Sequence, residues 1–186
     1  MLRVRKRHSI KADRERAVAD RLLAALETEA TFARYGDPKE SEPDVLYRKA
    51  DGKIFGIEVS TAYYEDSDAK DGAEIATGEK PLGAGEIRVR SGGDLGEPDQ
   101  KICERVQKEL EDKCVKAYVG PDETWLCIYQ EALLSDAESV AECVKSLKVP
   151  AKHQFARIYL TYMAPVHQGG RYTSVRLFLA TRATAA

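Results

Sequence analysis

Two alternating runs, 44–50 and 53–61, meet at Asp51-Gly52, and no other stretch of this 186-residue chain restricts the fold so tightly. Asp-Gly between alternating runs predicts a β-hairpin with a two-residue turn, because glycine reaches the positive φ that such a turn needs. In the second run Phe55, Ile57, Val59 and Thr61 share one face, which suits a core. Ile54, Gly56, Glu58 and Ser60 share the other, so a lone acid sits in a strand otherwise fit for burial. With the turn centred on Asp51-Gly52, residue 44 pairs near residue 59. Asp44 and Glu58 are then cross-strand or diagonal neighbours within reach of a common point.

Periodicity supplies the remaining elements. Val18, Leu22 and Leu26 recur at spacing four, which predicts a helix over 13–29. A short strand is expected at 31–35, a helix at 99–113 on Ile102, Val106 and Leu110, and an apolar strand at 125–130. Ser135 can N-cap a helix over 136–147, and strands are expected at 156–162 and 174–180. This order predicts an α/β fold, a mixed central sheet flanked by helices. The chain divides into a basic N-terminal arm, 1–12, and a single α/β domain, 13–186, with an irregular acidic insert at about 65–99.

Charge matters here for its distribution. Lys plus Arg number 29 and Asp plus Glu 31, a formal net charge of -2. Residues 1–16 hold seven basic side chains against two acids, whereas 65–99 hold ten acids against four bases. The arm suits salt-dependent, sequence-blind contact with phosphates, and the insert suits a protein partner or a guard over a site. No run reaches the roughly 20 apolar residues of a membrane span, and residues 1–7 lack the apolar core of a secretory signal, so no membrane role is expected. Cys103, Cys114, Cys127 and Cys143 form no C-x-x-C pair and read as buried, reduced thiols in a cytoplasmic protein.

Two carboxylates converging at one end of a sheet repel unless something positive lies between them. Hard oxygen donors of this kind suit Mg²⁺, which lowers the pKa of a bound water and neutralises a scissile phosphate. A purely structural role is the alternative: Asp44 opens a strand after proline, and Glu58 pairs with Arg48 or Lys49.

The ordered set of helix, Pro43-Asp44, Asp51-Gly52 hairpin, Ile57-Glu58-Val59-Ser60 and helix resembles the PD-(D/E)xK nuclease superfamily over residues 13–130. The resemblance implies a restriction-endonuclease-like core and metal-dependent hydrolysis of phosphodiester bonds in nucleic acid, DNA before RNA. Asp44 and Glu58 would hold Mg²⁺ or Mn²⁺, and the protein could act as a homodimer. One position departs from the pattern. Ser60 occupies the place of the motif lysine and cannot supply its fixed positive charge.

Lysines on the 99–113 helix are the candidates for a relocated charge: Lys101, Lys108 and Lys113, with Lys101 preferred because a helix start beside the strand ends could reach the carboxylates. Glu27 and Glu29 at the end of the first helix are candidates for an added acid near the metal, and Glu42 for support of Asp44. Tyr63-Tyr64 could stack on bases. Ser60 equally leaves open a catalytically silent nuclease fold that binds DNA or a protein.

Overall fold

The computed structural model describes residues 7–63, 98–131, 137–163 and 172–179. The acidic stretch up to residue 97, Tyr64, the Ser135 cap and the Gln168-Gly169-Gly170 loop lie outside the described residues. The elements are α1 (Arg7–Ala25), β1 (Ala30–Tyr35), a 3₁₀ turn (Pro38–Glu40), β2 (Val45–Lys49), β3 (Ile54–Tyr63), α2 (Pro98–Cys114), β4 (Glu123–Glu131), α3 (Ala137–Ser146), β5 (Arg157–Met163) and β6 (Tyr172–Leu179). They form an α/β fold with one mixed six-stranded sheet, ordered β1 to β6 as in the sequence. The β3–β4 and β4–β5 pairs are parallel and the other three antiparallel.

α1 begins six residues before the expected start and stops four before the expected end. Its last turn closes when the Glu27 N–H donates to the Ala24 carbonyl and the Thr28 N–H to that of Leu23, with Glu27 at φ 48°. This pair of bonds around a left-handed residue terminates a helix before the apolar spacing runs out.

Period two along β3 sorts the core into two layers. Phe55, Ile57 and Val59 pack with Val18, Ala19, Leu22 and Leu23 of α1 on one face of the sheet. Leu126, Ile128, Ile158 and Leu160 meet α2 and α3 on the other, through Ile102, Val106, Leu110 and Val140. Ile102, Val106 and Leu110 are each at most 2% exposed, and full burial of such a side chain contributes roughly 1.5–3 kcal/mol. That stripe fixes the rotation of α2, and so decides which of its polar side chains face β3.

The hairpin differs from expectation by one residue. Lys49 pairs with Lys53, so the loop holds three residues, Ala50 to Gly52, and ends at Gly52 with φ 85°. Asp-Gly serves this longer loop as well, since its last position also demands a left-handed residue. The shift has a consequence for the site. Val45 pairs with Ile57, which brings residue 44 opposite residue 58.

The thiol expectation is corrected too. Cys103 and Cys143 form a disulfide between α2 and α3, with Cα atoms 5.4 Å apart, while Cys114 and Cys127 are free and buried. Spacing alone could not reveal a bridge across 40 residues. No described helix is long and apolar enough to cross a membrane.

Candidate active site

β2 ends its pairing at Val45, but β3 continues six residues past Ile57 to Tyr63. The two strands part beside Pro43-Asp44, and Asp44 closes the opening. Its Oδ2 accepts the Val59 N–H at 2.9 Å, a ladder bond made by a side chain instead of by β2 backbone. Gly56 makes this fit possible, because a Cβ there would stand 2.4 Å from Cγ of Pro43.

Glu58 is 5% exposed and is held by Lys113, whose Nζ donates to Oε1 at 2.5 Å. One helical turn earlier, Glu109 accepts a short hydrogen bond from the hydroxyl of Ser60. The two contacts share one cause. Four residues of helix advance about 6 Å and two residues of strand about 6.6 Å, so Glu109 and Lys113 match Ser60 and Glu58 when α2 runs antiparallel to β3.

The α1 side contributes a further ion pair. Lys11 bonds Glu15 at 3.2 Å, and both act electrostatically on Glu58. Burial, followed by the charges of Glu58 and Glu15, pushes the Asp44 carboxyl up to about 7. Burial likewise raises Glu15, against the pull of Lys11. Tyr118, just after α2, is raised by burial and by Glu58. The site therefore gathers Glu15, Asp44, Glu58 and Glu109 around Lys11 and Lys113, an excess of negative charge.

Of the expected site residues, Asp44 and Glu58 do come together, directly opposite and not on a diagonal. Lys101 stands twelve residues before Lys113, about 18 Å away along the helix axis. Lys108 lines a groove between α2 and α3 with Cys103, Gln107 and Leu147. Lys113 is the candidate lysine in contact with Glu58. Glu27 and Glu29 follow the far end of α1, while Glu15 is the α1 acid coupled to the site.

Glu42 does not assist Asp44. It takes both Nη groups of Arg34, at 2.5 and 2.6 Å, and the Asp37 N–H, bonds that hold its carboxyl down at about 2. Lys49 pairs with Glu123, and Arg48 donates to the Gly52 carbonyl, so neither is the partner of Glu58. Tyr63 lies under Arg14, whose guanidinium carbon is 5.4 Å from the ring centroid.

Helix direction is the signal that would have identified Lys113 and Glu15. α2 lies between the parallel strands β3 and β4 in the chain and runs antiparallel to β3, so its C-terminal half faces the middle of β3. α1 likewise descends from the site toward the start of β1. Its Asp13 accepts from the Tyr35 hydroxyl at the other end of that strand, at 2.8 Å.

No group of three or more His, Cys, Asp or Glu among the described residues is arranged to hold a metal ion. Mg²⁺ does not require such a cage, since it commonly keeps several waters and binds one or two carboxylates plus substrate phosphate. The carboxylates of Asp44, just before β2, and Glu58 on β3, with Asp44 burdened by neighbouring charge, fit that demand. No protein-family model, curated protein or solved structure matches the chain.

Proposed function

We propose that this protein is a metal-dependent nuclease that hydrolyses phosphodiester bonds in nucleic acid, with a restriction-endonuclease-like core. The observation that carries the reading is the Lys113 ammonium bonded to Glu58 beside Asp44. It is the positive charge that Ser60 lacks, delivered from α2 instead of from β3.

In this reading Asp44 and Glu58 hold Mg²⁺. When bound, the ion polarises a water and neutralises charge on the scissile phosphate. Lys113 bonds Glu58 and presents positive charge to the phosphate as negative charge builds on its oxygens. Lys11 on α1, which acts electrostatically on Asp44 and Glu58, offers a phosphate contact, and the basic N-terminal arm offers more.

The test is cleavage of plasmid, linear DNA and RNA in Mg²⁺ or Mn²⁺ by the wild type, Asp44→Asn and Glu58→Gln. The expected result is metal-dependent cleavage, abolished by EDTA and reduced at least about a hundredfold in either variant. Cleavage that persists in both variants rejects this site. DNA binding without cleavage by the wild type favours the catalytically silent reading.

A further inference from the structure

Lys113 has an acid on its own helix that local spacing favours over Glu58. Glu109 stands four residues before it on α2, and a glutamate four positions N-terminal to a lysine is the preferred order for an ion pair along a helix. The structure pairs these groups otherwise. The Lys113 ammonium crosses to Oε1 of Glu58 on β3, and Oε2 of Glu109 accepts the hydroxyl of Ser60.

The supply of donors accounts for that choice. Glu58 and Ser60 are buried, and the Lys113 side chain is only 14% exposed. Groups so enclosed find their partners within the protein. Two residues apart on β3, Glu58 and Ser60 both face α2, where Glu109 and Lys113 are one turn apart. Two acids therefore meet two donors across this contact, one a hydroxyl and one an ammonium. Ionised carboxylates only accept, so neither acid can satisfy the other. With the hydroxyl committed to Glu109, the ammonium is left to Glu58. Without the hydroxyl, one ammonium would serve two acids, and a charge left unpaired in this setting is costly.

We propose that Ser60 and Glu109 are positioning residues for Lys113: the Ser60 hydroxyl occupies Glu109, and the ammonium one turn along stays on Glu58. Its consequence for cleavage rests on the nuclease reading, whereas the pairing itself does not. Serine at position 60 thus takes over part of the task of the lysine it replaces, by directing a lysine that comes from α2.

Ser60→Ala removes the hydroxyl and almost nothing else. In a crystal structure of this variant the Lys113 ammonium should stand within hydrogen-bond distance of Glu109. With Mg²⁺ and linear DNA its kcat should fall at least about tenfold while KM stays within about twofold, the mark of charge withdrawn from the transition state. Adding Glu109→Gln removes the competing charge, and the double variant should be at least about fivefold faster than Ser60→Ala. A hydroxyl that only supports the fold predicts no such rescue. An ammonium bonded to Glu58 alone in Ser60→Ala overturns the proposal, and so does a double variant no faster than the single one. If the wild type does not cleave, the nuclease reading falls, and the crystal structure of Ser60→Ala alone decides the pairing.

Discussion

Asp44 has more carboxylate neighbours than Lys113 alone can offset, and this imbalance sets the pH response of the metal-free protein. Its carboxyl is raised from 3.8 to about 7 on folding, by burial first and then by Glu58 and Glu15. An acid raised in this direction stabilises the fold fully below its unfolded value, and loses that contribution as pH climbs through the folded value. In EDTA, wild-type stability should therefore decline between about pH 4 and 7, by up to about 4 kcal/mol. Asp44→Asn should flatten the decline and be the more stable protein at pH 8. Urea unfolding of both proteins across that range checks it, and an Asp44→Asn curve as steep as wild type would refute the assignment. The two acids were legible because strand alternation and a turn residue locate them without tertiary information. The Ser60–Glu109 contact was not, since spacing within a helix does not show which of its residues meets a given strand position.

At the scale of elements, helix direction decides which of the polar side chains on α1 and α2 meet Glu58. Spacing identified α1 and α2 and the apolar stripe of each, but spacing is blind to which end of a helix returns to the site. Among three candidate lysines the sequence favours Lys101, and on the first helix it offers Glu27 and Glu29, whereas the groups that act on Glu58 are Lys113 and Glu15, toward the opposite end of each helix. The antiparallel run of α2 against β3 decides the case of the lysines. The one-residue hairpin shift has a different cause, since Asp-Gly fits loops of two or three residues equally well. Between α2 and α3 the Cys103–Cys143 bridge closes a loop of about forty residues, a constraint on the unfolded chain of about 4 kcal/mol. Dithiothreitol should lower Tm by roughly 8–16 °C, and Cys103→Ser should reproduce the reduced value. Thiol titration of the unfolded, unreduced protein should find two free thiols. Four would show that the bridge does not form.

Across the whole molecule, charge is arranged by region, so a net of -2 understates the reach of its basic N-terminal segment. Arg3, Arg5 and Lys6 precede α1, whose Lys11 acts electrostatically on Asp44 and Glu58. If those three residues contact phosphates, removal of residues 1–6 should make the plot of log affinity against log salt shallower by roughly 2.7 for duplex DNA. Fluorescence anisotropy at several salt concentrations measures this, and an unchanged slope would exclude the arm from binding. Under the proposed nuclease function, Lys113 at the C-terminal end of α2 supplies the positive charge that Ser60 does not. The most direct test of this claim compares the Mg²⁺-dependent DNA cleavage rates of Lys113→Met and Lys101→Met, at a temperature where circular dichroism shows both folded. Lys113→Met should lose at least about a hundredfold in kcat while Lys101→Met stays within about twofold of wild type. Equal losses, or a loss confined to Lys101→Met, would contradict the account.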